Sequence, residues 1–535
     1  MQTSSFASLA QLVKSRVNSP SESPLLTFVA HDDTGVNLVD HRHYDSLWRR
    51  GQMLARALAS RGMGPGDRFA LLMQNHAEFV DAIIASSILG TVFVPIDPRT
   101  RGKKLQYMLD FVECKGIIAG SYCLDQLIEV APEVPRLEWM WLVHAEGPRM
   151  ASLPEKADWL DAVLVDEGDE LPIAALSPEA PMQMLFTSGT TGDPKAIICS
   201  HGRYAAASLG VRMCGIDAND RMYTGLSLTH GNALLFTLSG ALYNQIPAVL
   251  SRKFTKSRLW SVIREFRCTT LNLLGGMTTA IYSEPKSPEE VDNPLRMVIC
   301  SGMPKELWDD FAQRFGVRIV EWYGAAEGGL TFNLPGVGPV GSLGKPPPGL
   351  AARILDEEDR ECEPFQPGEI VFANMDGSPI LVDYYRNSEA SEKKTRDGLL
   401  RMGDIGYRDE DGWLYFMHRK GSELRRNGEF ISPGFIEKEV SEHPDVDDVF
   451  IYGVPSASGV PGEKDLVAAI VARNPATWDS ESLFAFCGKR LERNSVPTYL
   501  QLVDEIPKTA SEKPLERVLL ESFHPDANNV YTRSK

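Results

Sequence analysis

The segment at residues 184–195 constrains this chain most, because an apolar strand pattern runs directly into a series of small residues. It reads MLFTSGTTGDPK and is followed by the apolar run AIIC. Glycines let the backbone approach a ligand closely, and successive N–H groups with Ser and Thr hydroxyls can surround phosphate oxygens. A turn between strands rarely needs so many such residues, so the pattern favours a phosphate-binding loop over a simple turn. The spacing differs from the G-x-x-x-x-G-K-[ST] pattern, which indicates another kind of phosphate loop.

Elsewhere the chain alternates apolar runs typical of strands with patterns typical of helices. Examples are the strand–helix–strand series 68–73, 77–89 and 91–96, and the series 297–300, 305–315 and 318–322. Such alternation favours α/β layers. Residues 344–415 contain short strands with many Gly and Pro, which predicts a β-rich subdomain. We therefore predict an α/β fold with a large N-terminal domain over 1–417, layered α/β plus that subdomain, and a small C-terminal α+β domain over 418–535.

The composition argues against several classes of function. The 535 residues include 55 Lys and Arg against 72 Asp and Glu, a net charge of −17, which disfavours nucleic acid and anionic lipid as partners. The apolar runs are too short to span a bilayer. The eight cysteines include no C-x-x-C pair, which predicts buried reduced thiols and a cytoplasmic location. Residues 4–17 are typical of a surface helix, with a weak transit peptide as the alternative.

The loop at 184–195 resembles the signature of the AMP-forming, adenylate-forming ligases, which include acyl- and aryl-CoA synthetases, peptide-synthetase adenylation domains and luciferases. Further motifs follow in the family's order over nearly the whole chain, and the general similarity is nearest to the crotonobetaine/carnitine-CoA ligase branch. The resemblance implies that the loop surrounds the pyrophosphate of ATP. The implied contacts come from Thr187, Ser188, Gly189, Thr190, Thr191, Gly192 and the cation Lys195.

Residues 322–327, WYGAAE, resemble the family's Tyr-Gly-x-Thr-Glu motif. The implied roles are adenine stacking for Tyr323 and Mg²⁺ ligation for Glu327, whose hard oxygen suits that ion. Ala326 replaces the usual Thr, so one hydroxyl contact to the α-phosphate is expected to be missing. The segment SGMP at 301–304 resembles the loop that lays its backbone against adenine. The other implied nucleotide contacts are Gly324, Ala325, Ser301, Gly302 and Met303.

Two later motifs resemble the family's ribose and hinge segments. In LRMGD at 400–404, Asp404 is implied to accept both ribose hydroxyls, a task that suits the two oxygens of a carboxylate. In the segment 419–437, Arg419 is implied to contact ribose, Gly421 to act as the hinge, and Gly428 to let the pantetheine of CoA pass. Gly421 stands where the family usually has Asp or Lys. The basic cluster around Arg425 is a candidate for CoA phosphates, and a solvated face is an equal alternative.

The segment PKTASEKPLER at 507–517 resembles the family motif that carries the adenylating lysine, which is Lys513 by this alignment. Its ammonium would lie between the attacking carboxylate and the α-phosphate, where it offsets repulsion between two anions. Glu512 replaces the usual Gly. If the loop needs a positive φ there, the Glu costs about 1 kcal/mol or more.

The acyl pocket is the least defined part of the sequence. His230 lies where the family often carries an aromatic or His side chain that opens or shuts the pocket, although a structural histidine is an equal alternative. No Phe-Asp pair of the peptide-synthetase kind occurs in this region. The pocket walls are expected to include Gly275, Gly276 and Met277.

These motifs together predict an ATP-dependent carboxylic acid–CoA ligase with Mg²⁺ as cofactor and with ATP and CoA as co-substrates. The resemblance implies that the C-terminal domain is a mobile lid, which turns near Gly421 to exchange Lys513 for the Gly428 segment. The branch similarity suggests a small or medium acid. One alternative is transfer of the acyl group to an amine or a carrier protein. Another is a nucleotide-binding relative with weakened catalysis, as the departures at Ala326, Gly421 and Glu512 suggest.

Overall fold

The computed structural model describes residues 6–19, 23–31, 35, 37–145, 149–150, 152–164, 168–187, 194–420, 424–426, 429–431, 433–456, 464–509, 512 and 514–533. The chain divides into two compact units. Unit 1 comprises Met1–Thr255, Phe266–Asn272 and Leu381–Lys393. Unit 2 comprises Lys256–Glu265, Leu273–Ile380 and Lys394–Lys535.

The first sheet of unit 1 is mainly parallel and carries the predicted phosphate loop at one edge. Its strands, in spatial order, are Ala157–Trp159, Trp139–Val143, Gly116–Gly120, Arg68–Leu72, Val92–Pro95, Pro181–Thr187 and Lys195–Ser200. The last two strands pair antiparallel, and the others pair parallel. Parallel strands that are covered on both faces are apolar along their whole length, and the strands Val92–Pro95 and Gly116–Gly120 are fully buried.

Two helices, Gly102–Phe111 and Leu124–Val130, share one buried cluster with strand residues of this sheet. The helices of unit 1 are Leu9–Ser15, Tyr44–Ser60, Ala77–Leu89, Gly102–Phe111, Leu124–Val130, Leu160–Val163, His201–Ala207, Leu209–Met213, the π-helix Asn232–Leu238 and Ser239–Asn244. Helix Leu9–Ser15 confirms the predicted N-terminal helix, and its apolar face is buried.

A buried ion pair fixes the start of helix Tyr44–Ser60. Arg42 donates from Nε and Nη2 to the two carboxylate oxygens of Asp81, each at 2.9 Å. Both residues are less than 5% exposed, and Arg50 also donates to Asp81, at 2.6 Å. Two cations around one carboxylate satisfy its lone pairs, which a buried charge requires.

A second set of strands in unit 1 lies around the strand Met222–Thr224. The other members are Ala248–Ser251, Leu26–His31, Asn37–Arg42 and the unit 1 part of Thr270–Leu274. Pairing is parallel except between Leu26–His31 and Asn37–Arg42. The helix Ser388–Lys394 begins inside the returning segment Leu381–Lys393, and its last residue, Lys394, belongs to unit 2.

Unit 2 places most of the predicted nucleotide residues on strands. Met297–Ser301 pairs parallel with Arg318–Ala325, which pairs antiparallel with Gly328–Asn333. An antiparallel sheet follows, in the order Leu350–Leu355, Gly368–Asn374, Leu400–Arg408 and Leu414–Arg419. It confirms the β-rich region predicted at 344–415. The helices of this part are Leu259–Glu265, Gly275–Tyr282 and Lys305–Phe315.

The C-terminal part of unit 2 is an α+β layer. Its sheet runs Val446–Pro455, Lys464–Ala472, Tyr499–Leu502 and Val530–Thr532, and a short ribbon joins Arg425–Arg426 to Glu429–Phe430. The helices Pro433–Ser441 and Ser480–Arg490 pack on one face around Phe484 and Leu466, and the helix Glu516–Ser522 packs on the other face around Tyr452. The domain boundary near Met417 stays a prediction.

Two further expectations concern the chain as a whole. All eight cysteines are buried, as predicted for structural thiols. Within the part of the chain that the structure describes, no helix has the length and apolarity needed to cross a membrane.

Candidate active site

The two ends of the predicted phosphate loop are held together by strand pairing in unit 1. Thr187 and Lys195 are opposite each other in the antiparallel register, and the Thr187 hydroxyl is 3.5 Å from the Lys195 carbonyl. The residues Ser188, Gly189, Thr190, Thr191 and Gly192 lie outside the described residues. The paired strands therefore fix where the loop begins and ends.

Lys195 lies over an aromatic ring that the sequence did not single out. Its Nζ is 5.4 Å from the ring centroid of Tyr384, within the range of a cation–π interaction. Tyr384 is 5% exposed and comes from the segment Leu381–Lys393, whose backbone joins the edge strand: Asp383 accepts from Ile198 N at 3.0 Å. The ring holds the lysine at the base of the loop.

In unit 2, three predicted nucleotide residues from separate motifs meet at one carboxylate. The Tyr323 hydroxyl donates to Oδ2 of Asp404 at 2.6 Å. Arg419 lies opposite Asp404 in the strand register, and its Nε is 3.4 Å from Oδ1. Burial raises the pKa of Tyr323, and the Asp404 carboxylate raises it further, so the phenol stays a hydrogen-bond donor. The motifs at 323, 404 and 419 therefore lie together in unit 2, and their roles in nucleotide binding stay predictions.

A buried glutamate shapes the segment that the sequence assigned to adenine. Glu321 is 2% exposed and accepts from Gly302 N at 2.6 Å and from Met303 N at 3.0 Å. Gly302 has a φ of 88°, a conformation that glycine adopts without strain. Burial raises the pKa of Glu321 to about 8, against the lowering effect of the two N–H donors. The sequence motifs did not single out Glu321, although an acid after the apolar pair Ile319 and Val320 was a visible signal.

The start of helix Gly275–Tyr282 approaches this segment closely. A Cβ on Gly275 would lie 2.4 Å from the Gly302 carbonyl oxygen, so only glycine fits there. A Cβ on Gly276 would lie 3.1 Å from the Glu512 carbonyl oxygen. Met277, the third predicted pocket residue of this helix, is 1% exposed. The predicted adenine and acyl segments are thus in contact within unit 2.

The loop of the predicted adenylating lysine reaches the same place. Lys513 lies outside the described residues, but its two neighbours, Glu512 and Pro514, are described. Both face Gly276, since a Cβ on that glycine would also lie 3.7 Å from Cδ of Pro514. Glu512 has a φ of 56°. The positive φ that would make a glycine preferable is therefore present, and the Glu costs about 1 kcal/mol or more there.

Glu327 lies in the turn between the strands Arg318–Ala325 and Gly328–Asn333 and is half-buried. Gly324 and Ala325, at the end of the first strand, are exposed. Among the described residues, no group of three or more His, Cys, Asp and Glu could hold a metal by itself. Mg²⁺ commonly keeps phosphate and water ligands beside one or two carboxylates, so Glu327 fits a metal that arrives with a nucleotide.

His230 belongs to unit 1, where it precedes the π-helix Asn232–Leu238. Its Nδ1 accepts from Asn232 N at 3.3 Å, and burial lowers its pKa to about 4. A neutral imidazole with a local backbone partner is compatible with both a structural and a pocket role. Its assignment to the acyl pocket stays a prediction.

The predicted CoA segment is described only in part. Gly421, Gly428 and the side chain of Arg425 lie outside the described residues. Arg426, which belongs to the same basic cluster, donates to the carbonyls of Val496 at 2.6 Å and Asn494 at 3.2 Å. Burial lowers the pKa of Arg426. Its guanidinium therefore binds the C-terminal layer, and the assignment of the basic cluster to CoA phosphates stays a prediction.

Comparisons with known proteins identify the family of this chain. Residues 29–377 match the family model of the AMP-binding enzyme, and residues 436–513 match that of the AMP-binding enzyme C-terminal domain. The chain belongs to the AMP-binding enzyme family. The prediction of an AMP-forming ligase with a mixed α/β fold, a large N-terminal part and a small C-terminal part is therefore confirmed.

The chain is similar to curated CoA ligases over most of its length. The medium/long-chain-fatty-acid–CoA ligase FadD17 of Mycobacterium tuberculosis is 29% identical over 504 residues, which cover 92% of this chain and 95% of that protein. The crotonobetaine/carnitine–CoA ligase of Citrobacter koseri is 26% identical, with 91% and 94% covered. Among solved structures, the anthranilate CoA ligase AuaEII in complex with anthranoyl-AMP shares the fold, with a TM-score of 0.80, 22% identity and 98% of each chain covered.

Proposed function

We propose that this AMP-binding enzyme is an ATP-dependent carboxylic acid–CoA ligase that works in two half-reactions. In the first, a carboxylate oxygen of the acid bonds to the α-phosphorus of ATP, and the bond to the β-phosphate breaks to release pyrophosphate. In the second, the CoA sulfur bonds to the acyl carbon of the acyl-AMP, AMP leaves, and the thiol proton passes to solvent. ATP and CoA are the co-substrates.

The observation that carries the nucleotide part is the convergence of Tyr323, Asp404 and Arg419. Asp404 has two oxygens with about four lone-pair sites, so it can accept from ribose hydroxyls while it holds Tyr323 and Arg419. The ring of Tyr323 lies nearly parallel to that of the fully buried Phe372, with centroids 6.4 Å apart, and we assign adenine stacking to Tyr323 alone. The segment at 302–303, which Glu321 holds through two hydrogen bonds, is proposed to lay its backbone against adenine.

The loop between Thr187 and Lys195 is proposed to bind the leaving pyrophosphate. Lys195 contributes a cation there, steadied by the ring of Tyr384. Glu327 would hold Mg²⁺, which when bound offsets the charge of the phosphate oxygens.

Lys513 is proposed to stabilise the first half-reaction. Its neighbours Glu512 and Pro514 lie against Gly276, a residue assigned to the acyl pocket. An ammonium at that place offsets the charge that develops as the carboxylate approaches the α-phosphate. The lid motion near Gly421 and the CoA contacts of Gly428 and Arg425 remain parts of the proposal, as does a cytoplasmic location.

The acyl acceptor is proposed to be CoA on the strength of the relatives, which are CoA ligases matched over about nine-tenths of this chain. Their named substrates range from medium and long fatty acids to carnitine. We propose a small or medium acid for this chain, and a panel of acids that spans chain length and polarity tests that choice.

The experiment is ATP–pyrophosphate exchange with this panel, followed by product analysis with CoA present. Exchange that depends on one class of acid, with AMP and a thioester as products, supports the proposal. ADP as product contradicts it, and an acyl group found only on added amine favours the alternative acceptor.

A second lysine of the chain, Lys489, provides the control for the role assigned to Lys513. Lys513→Ala should lower exchange by several orders of magnitude if the ammonium stabilises the transition state. Lys489→Ala removes an exposed lysine from the end of helix Ser480–Arg490 and should leave exchange unchanged. Equal rates in both variants would contradict the role of Lys513.

A further inference from the structure

A lysine outside every motif lies among the predicted nucleotide residues of unit 2. Lys394 is the last residue of helix Ser388–Lys394 and is half-buried. Its Nζ donates to the Met402 carbonyl at 3.4 Å. Nη2 of Arg419 donates to the same oxygen, also at 3.4 Å. The two cations therefore flank one carbonyl, two residues before Asp404.

The charges around Lys394 are those of the candidate nucleotide site. The carboxylates of Glu327, Asp404 and Glu369 act electrostatically on its ammonium, with Glu327 the strongest of the three. Burial lowers the pKa of Lys394, Arg419 lowers it further, and the three carboxylates oppose both effects. The lysine therefore lies within electrostatic reach of both the predicted metal ligand and the predicted ribose ligand.

The nearby carboxylates have different partners. Glu369 accepts from Gly403 N at 3.2 Å and pairs with Arg401 at 3.2 Å, which orders the strand that carries Asp404. Asp404 holds Tyr323 and Arg419. An ammonium has three donors, and the Met402 carbonyl occupies one of them. Lys394 is thus anchored and can still donate to a ligand.

A nucleotide phosphate needs such a cation here. ATP is a polyanion, and three carboxylates at its site would repel it. The side chain of Ala326, next to Glu327, has no hydrogen-bond donor. Lys394 supplies both positive charge and N–H groups at the Met402 carbonyl, two residues before Asp404 and within electrostatic reach of Glu327.

We propose that Lys394 is a phosphate-binding residue of this enzyme, whose ammonium contacts the α-phosphate of ATP and of AMP from its anchor on the Met402 carbonyl. The inference rests on the proposed function, because it needs a nucleotide bound at Asp404. Lys394 is then a third proposed phosphate-binding cation, besides Lys195 and Lys513. It contacts the phosphate nearest the ribose.

The test is isothermal titration of the full chain with AMP and, separately, with adenosine, which lacks the phosphate. Lys394→Met keeps the length of the side chain and removes its charge. It should weaken AMP binding about tenfold or more, as expected when a hydrogen bond to a charged group is lost, and should leave adenosine binding unchanged. Lys394→Arg should restore most of the AMP affinity, and the affinity of the wild type should fall more steeply with salt than that of Lys394→Met.

Lys393→Met is the matched control, since Lys393 is the exposed neighbour on the same helix. It should bind both ligands like the wild type. Equal losses for AMP and adenosine in Lys394→Met would show that the residue acts through the Asp404 strand, which overturns the inference. Wild-type affinity for AMP in Lys394→Met overturns it as well, whereas a wild type that binds no AMP overturns the proposed function itself.

Discussion

Replacing Glu321 with glutamine tests how the buried carboxyl group, which holds the segment at 301–303, contributes to the free energy of unfolding. The carboxyl group accepts from Gly302 N and Met303 N on its two separate oxygens. Glutamine keeps the shape but turns one acceptor into an N–H donor that faces a backbone N–H. One buried donor is then left unsatisfied, at a cost of about 1–3 kcal/mol in the free energy of unfolding.

The raised pKa of Glu321 determines the direction in which the stability changes with pH. Burial raises the pKa of Glu321 from 4.5 to about 8. Between these values the folded protein holds a proton that the unfolded chain has released, so the carboxyl stabilises the fold below pH 4.5, and this contribution is lost as pH rises through 8. The shift is large enough for a linked change on the order of a few kcal/mol. E321Q has no such titration.

Urea unfolding of the wild type and of E321Q at pH 5, 6, 7 and 8 measures the effect. The stability advantage of the wild type should be largest at pH 5 and should shrink as the pH rises. Other titrating groups, including Glu437, whose pKa burial raises to about 7, are present in both proteins and cancel in the difference. A constant difference from pH 5 to pH 8 would refute the reasoning, and a difference that grows with pH would show that the two N–H donors outweigh burial.

Three further predictions concern other parts of the molecule. D404N should weaken AMP binding by about 1.5–3 kcal/mol, the value of a hydrogen bond to a charged group, whereas both proteins should bind 2′,3′-dideoxy-AMP equally; a loss for the dideoxy nucleotide too would contradict ribose recognition. E512G should change the stability to thermal unfolding by less than about 1 kcal/mol, because relief of the left-handed strain is offset by the greater chain entropy of glycine; a loss of about 2 kcal/mol or more would assign the Glu side chain a structural role. D81A should cost about 3–5 kcal/mol in urea unfolding because it removes the buried partner of Arg42 and leaves this buried cation with only the exposed Asp40, while D40A, which removes that exposed partner, should cost at most about 1 kcal/mol; equal costs would contradict the burial argument.

The strands and helices were predictable where burial makes the pattern of apolar residues continuous along the sequence. Helix Ala77–Leu89 matches its predicted bounds because almost every side chain in it is buried. Helix Lys305–Phe315 also matches, since its apolar residues recur at helical spacing. The strand predicted over 318–322 continues to Ala325, because the edge pairing with Gly328–Asn333 extends it.

The site was predictable only where its residues belong to motifs. Asp404, Tyr323 and Arg419 were found that way and do lie together. Glu321 and Lys394 were missed, because each acts on residues distant in sequence. Glu321 binds backbone groups 18 and 19 positions away, and Lys394 acts on Glu327 through the fold of unit 2. Pair contacts of this kind leave no periodic or compositional signal in one chain.

The central claim is that the acid attacks the α-phosphorus of ATP. An acid labelled with ¹⁸O at both carboxylate oxygens, taken from the class that supports pyrophosphate exchange, tests it most directly by mass spectrometry of the products formed with ATP and CoA. The account predicts one ¹⁸O in AMP, one in the thioester carbonyl and none in pyrophosphate. Label in inorganic phosphate together with ADP would show attack at the γ-phosphorus and would contradict the account.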